Sequence, residues 1–158
     1  MNSLHIVVRG QTGQVAVQAI GQALVAAAET ADTAALQRGL LALACYQAYS
    51  PSEAAEAMRT LAELGDVPFE ASDFQPRWWQ PSECVEDIDV LLERGRRGLS
   101  EPVRAELAVL RQALAEAERR TCTFYLVDLE PDEELPLEWH NPRGAEAPKG
   151  TRGADTIG

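Results

Sequence analysis

Lysine is nearly missing from this chain. Lys149 is the only one in 158 residues, so arginine carries almost all the positive charge. Histidine is as scarce, with His5 and His140 alone, and the three cysteines, Cys45, Cys84 and Cys122, lie far apart. No CxxC, HExxH or zinc-finger spacing can be built from these residues. The acidic run 128–138 lacks the glycine and ligand spacing of a calcium loop. No metal or other cofactor is expected. An odd number of widely spaced cysteines does not make a disulfide framework. The apolar start 4–8 is too short for a signal peptide and has no basic flank. No run approaches the roughly 18 apolar residues of a membrane span. A cytoplasmic protein that does not enter membranes is expected.

Catalytic signatures are also missing. There is no nucleophile elbow and no kinase or β-lactamase pattern. Arg9-Gly10-Gln11-Thr12-Gly13 resembles a nucleotide-binding turn, but it lacks the third glycine of GxGxxG and the Gly-Lys-Ser/Thr of a P-loop. A tight strand-to-helix turn is the simpler reading. Cys84 falls in the first turn of an expected helix, where the dipole favours a thiolate. Glu83, Glu86 and Asp87 oppose that, and Cys45 and Cys122 read as small core residues. No catalytic residues are assigned, and a non-enzymatic role is the better fit.

What the chain has is acid and alanine. The net charge is −11, and 46% of residues are hydrophobic, much of that alanine. Such a chain repels nucleic acid over most of its surface and speeds encounter with a basic partner. Arg94, Arg96 and Arg97 form a basic cluster that could hold a phosphate with Arg119 and Arg120, but it is too little to offset that balance. The length suits one domain with its own core.

Residues 4–9 are β-branched and stop at Gly10, the pattern of a strand. Val17, Ile20, Leu24 and Ala28 recur at helical spacing and predict a first helix over 14–30. Thr33 or Asp32 can cap a second, with Leu36, Leu40 and Leu43 in one stripe and Leu41, Ala44 and Cys45 beside it. Ser50-Pro51-Ser52-Glu53 combines a cap, a first-turn proline and a capping box, and Gly65 ends that helix. Pro81-Ser82-Glu83 repeats the device thirty residues later. The flanks do not match, so these are two similarly built helices rather than a repeat array. Ser100-Glu101-Pro102 opens another, in which Val103, Leu107, Leu110, Leu114 and Ala117 step by four and three. Residues 121–129 are strand formers with apolar side chains on both faces. They are expected to pair with the first strand, with 67–71 as a candidate third strand, or with another subunit. The fold class is therefore α+β and mostly α-helical: four to five packed helices with a small sheet from the N-terminal strand and the strand near 121–129. One domain over 1–142 is expected, followed by a flexible or extended tail over 143–158.

Aromatics make up only 6% of the chain, yet the connection 69–81 holds Phe69, Phe74, Trp78 and Trp79. Large rings in a connection either plug the core or meet a partner. Successive side chains of an extended segment diverge, so one tryptophan is expected inside and the other partly exposed. The expected contact set is Phe74, Arg77, Trp78 and Trp79 with Glu83, Glu86, Asp87 and Asp89 on the acidic helix that follows. The function this suggests is non-catalytic binding of a basic protein partner, as by a bacterial immunity protein or antitoxin; homodimers are compatible with it. The alternative is a small enzyme or ligand-binding protein with a pocket beneath 69–81, its polar groups drawn from His5, Tyr125 and His140.

Overall fold

The structure, a computed structural model, describes residues 2–31, 33–94 and 98–135. The tail expected over 143–158 and the end of the expected domain at 142 lie outside these residues. The elements in chain order are β1 (Ser3–Arg9), β2 (Val15–Gly21), α1 (Ala23–Thr30), α2 (Ala34–Ala44), α3 (Pro51–Leu64), a 3-10 turn (Ala71–Phe74), α4 (Pro81–Arg94), α5 (Glu101–Arg119) and β3 (Thr123–Leu129). This is the α+β, mostly helical architecture expected from the sequence, and β1 does pair with the strand near residue 125.

The sheet is antiparallel throughout, in the order β2-β1-β3. Its third strand corrects two expectations. Residues 67–71 form no strand, and residues 15–21 are β2 rather than the first two turns of a helix. The Gly10–Gly13 region turns strand into strand: the Gly10 amide donates to the Gln14 carbonyl at 2.8 Å, and Gly13 takes φ +88°. That hairpin competes with helical spacing and wins, because β1 offers β2 a ready edge along most of its length. Helix α1 starts only at Ala23.

The α1 start is fixed from a distance. Glu106 of α5 accepts the Ala23 and Leu24 amides, each at 2.8 Å, and so satisfies two donors at the α1 N-terminus. Gly21 makes this possible. It sits at φ +148°, and a Cβ there would lie 2.2 Å from Glu106 Oε2.

Helices α1, α2, α4 and α5 cover one face of the sheet. Leu107, Leu110 and Leu114 of α5 are fully buried against Ile6, Phe124 and Leu126 and the other residues of that core. Each such side chain contributes about 1.5–3 kcal/mol by leaving water. Helix α2 packs on α4 so closely that a Cβ on Gly39 would meet Leu91 Cδ1 at 2.4 Å. Leu36, Leu40 and Leu43 are buried as the stripe required, but Leu41 is 66% exposed and Cys45 is exposed, so Cys45 is not a core residue. The other sheet face carries Val7, Tyr125, Val127 and Leu129, packed with Ala48, Trp78, Trp79 and Leu135.

The two similarly started helices differ in depth. Ser50 completes its capping box with Glu53, and Gly65 closes α3 at φ +77°. Yet Ala54 is the buried residue of α3, whereas α4 buries Cys84, Ile88 and Leu91. Glu133 pins α3 from outside by accepting the Ser52 amide at 2.8 Å.

Candidate protein-binding site

The outer edge of β3 decides where the aromatic segment goes. Phe124 exchanges both backbone hydrogen bonds with Trp79, at 2.8 and 3.0 Å. Leu126 donates to Tyr46 O at 2.9 Å and accepts from the Ala48 amide at 2.7 Å. Two isolated bridges thus cover the outer edge of β3, a parallel one at Gln47–Leu126 and an antiparallel one at Trp79–Phe124, and they belong to the segments 46–48 and 77–80.

Held in this way, neighbouring side chains must point to opposite faces. Trp78 lies on the outer sheet face, edge to face with Tyr125 at 4.9 Å between centroids. Trp79 lies toward the helices, edge to face with Tyr46 at 5.2 Å. Both are half-buried, so the partly exposed tryptophan of the expectation is found but the buried one is not. Each ring is instead shared between core and surface, and each carries an arginine. Arg9 Cζ is 4.2 Å from the Trp78 centroid and Arg77 Cζ is 5.3 Å from that of Trp79. Neither arginine forms an ion pair among the described residues. Partial burial lowers the pKa of Arg9. Phe74 is buried, with Tyr49 at 5.4 Å and Phe69 at 6.2 Å between ring centroids.

The four acids of the expected contact set divide into pairs. Asp87 accepts the Tyr46 hydroxyl at 2.6 Å, and burial together with that bond pushes the phenol pKa up. Asp89 takes two bonds from Arg111, at 2.6 and 3.1 Å, which hold its carboxyl below the usual range. Glu83 and Glu86 are exposed and have no ion pair among the described residues. Val90 follows Glu86 by four residues on α4 and is 48% exposed. The outcome is a strip of two half-exposed tryptophans under arginines, continuing onto a helix face with free carboxylates and one apolar residue.

Nothing in this strip is arranged for nucleophilic chemistry. The Cys84 thiol is buried, and burial and then Asp87 push its pKa up to about 12, so it stays protonated at neutral pH. No group of three or more His, Cys, Asp or Glu side chains placed to hold a metal occurs among the described residues. His5 Nδ1 lies 3.0 Å from Ser3 O. The Tyr125 hydroxyl is buried without a hydrogen-bond partner among the described residues, and His140 lies outside them. A cavity of about 380 Å³ opens between α1, the start of α2 and the start of α5, lined by Ala23, Ala27, Leu36, Leu99 and Val103 among others. No residue of 69–81 lines it. No helix among the described residues is long and apolar enough to cross a membrane.

Sequence reasoning missed Tyr46, Tyr49 and Arg9, all of which touch the aromatic segment. Their only advance signal was composition: with so few rings in the chain, each one is a candidate neighbour of the others. No protein-family model matches the chain, and no curated protein or solved structure shows significant similarity to it.

Proposed function

We propose that this is a non-catalytic cytoplasmic protein that binds a basic protein partner through the strip formed by Arg77, Trp78, Trp79, Glu83, Glu86 and Val90, in the manner of an immunity protein or antitoxin. The observation that carries the reading is the state of the two tryptophans. Tryptophan and arginine are enriched among the residues that dominate binding energy at interfaces, and both rings here are fixed, Trp79 by backbone pairing to Phe124 of β3 and Trp78 by its edge-to-face contact with Tyr125. Glu83 and Glu86 add charge that would steer a basic surface toward them. Asp87 and Asp89 support the strip rather than contact the partner, since each is already engaged with the chain's own Tyr46 or Arg111.

The test is co-purification from the source cell, followed by titration of the recovered partner against variants. Arg77→Ala, Trp79→Ala and the double reversal Glu83→Lys, Glu86→Lys should each weaken binding. Trp79→Ala should cost about 2–4 kcal/mol, the range of an interface anchor. Circular dichroism confirms that each variant stays folded. A partner that binds all three variants as tightly as the wild type would overturn the assignment of this strip.

A further inference from the structure

The two outer edges of the sheet are finished differently among the described residues. The alternation of backbone groups can be followed across the sheet. Phe124 and Leu126 point their amides and carbonyls outward, to Trp79, Tyr46 and Ala48. Thr123, Tyr125 and Val127 therefore face Arg9, Val7 and His5 of β1 in the observed register. Ile6 and Val8 of β1 then face Gln18 and Ala16 of β2. This leaves Val15, Val17 and Ala19 of β2 with their amides and carbonyls directed away from the sheet, where no described residue pairs with them.

A free edge of this kind is normally blunted by lysine, proline or inward charge. β2 has none of these. Residues 10–28 contain no charged side chain, although a quarter of the chain is charged. Ala16, Val17, Gln18 and Ala19 are exposed, Val17 by 47%.

We infer that this edge is where two copies of the chain join, β2 pairing antiparallel with β2 about a two-fold axis at Val17. Three features select a second copy over another partner. The outward groups at 15, 17 and 19 are centred on Val17, so a two-fold axis there matches each with an outward group of the other copy: Val17 with Val17, and Val15 with Ala19 in both directions. Two chains of net charge −11 repel elsewhere, and this stretch is neutral. The pairing is also closed. It uses both free edges and leaves a six-stranded sheet whose ends are capped by 46–48 and 77–80, with no edge left for a third copy. Ala16 falls opposite Gln18 on the helix-covered face, and no like charges meet.

Sedimentation or light scattering of the full chain tests this. The wild type is expected at the mass of two 17.2 kDa chains in the micromolar range. Val17→Lys places like charges opposite each other, and Val17→Pro removes an outward amide that β1 does not use. Each is expected to halve the mass with unchanged circular dichroism, and Val17→Lys serves alone if the proline variant does not fold. Val17→Cys in a Cys45→Ser chain should cross-link on oxidation, because facing residues of a hydrogen-bonded antiparallel pair lie about 5.5 Å apart, within disulfide reach. A wild type at single-chain mass, a wild type that forms higher oligomers, dimers that survive Val17→Lys, or dimers that fail to cross-link through Val17→Cys would each overturn the proposal.

Discussion

The β3 side of the sheet and the β2 side are built from strands of equal length but meet the rest of the chain in opposite ways. β3 is buried along both faces and sealed along its outer edge by residues from two distant connections, 46–48 and 77–80. β2 has mostly exposed residues on both faces and nothing on its outer edge among the described residues. The difference teaches what the aromatic segment is for structurally. Trp79 bridges to Phe124 on the outer edge of β3, and its ring and that of Trp78 are left at the seam between core and solvent as a result. The β2 side has no such seal because the chain between β1 and α1 consists of a hairpin turn and β2 alone.

Truncation should give the largest contrast between the two sides. Phe124→Ala on β3 should cost about 3–5 kcal/mol, since the ring is fully buried among Tyr46 and the helices. Val17→Ala on β2 should stay within about 0.5 kcal/mol in the unassociated chain. Denaturant titration reads both, and similar losses would break the comparison. Next comes Gly21→Ala, which strains a φ of +148° and drives Glu106 off the α1 amides; about 2–3 kcal/mol is expected. A loss that small in Phe124→Ala but larger in Gly21→Ala would mean that the stability resides on the wrong side. Tyr46→Phe removes the bond to Asp87 and should cost about 1.5 kcal/mol, because a charged acceptor is left half-buried.

The smallest effect has the opposite sign. Asp128 is the penultimate residue of β3, and its Oδ1 is buried without a hydrogen-bond partner among the described residues. Burial, then Glu53, raise its pKa above the ordinary 3.8, with His5 opposing. The folded state therefore holds the proton more tightly than the unfolded state. Its contribution is fully present below about pH 3.8 and is lost as pH rises through the folded value. Asp128→Asn should raise the melting temperature slightly at pH 7, and the gain should shrink as pH falls toward 4. A gain that grows on acidification would reverse the account of this site.

Local signals made the later helices legible. Ser50 with Pro51 and Ser100 with Pro102 mark starts that chemistry enforces, and the five apolar residues of α5 all turned inward. β2 was not legible because its residues follow no single pattern. Exposed on both faces, it carries no alternation, while Val17, Ile20 and Leu24 happen to match a helical stripe. Only the two glycines around residue 12 hinted at a hairpin. In the candidate site the tryptophans were visible as rings in a connection, and their divergence followed from strand geometry. That both would be half-buried, each under an arginine, depends on Arg9, Tyr46 and Tyr125, which reach the segment from elsewhere in the chain. Likewise, no local pattern distinguishes Asp87 and Asp89, committed to Tyr46 and Arg111, from Glu83 and Glu86, which have no ion pair among the described residues.

Amide hydrogen exchange on the dilute chain, or on Val17→Lys, tests the contrast between the two edges most directly. The amides of Phe124 and Leu126 should be among the slowest in the molecule, since each donates to a carbonyl of the sealing segments. Those of Val15 and Val17 should exchange fast, as outward donors with no acceptor among the described residues. Equal protection on the two strands, or fast exchange at Phe124 and Leu126, would contradict the claim that one edge is sealed and the other open.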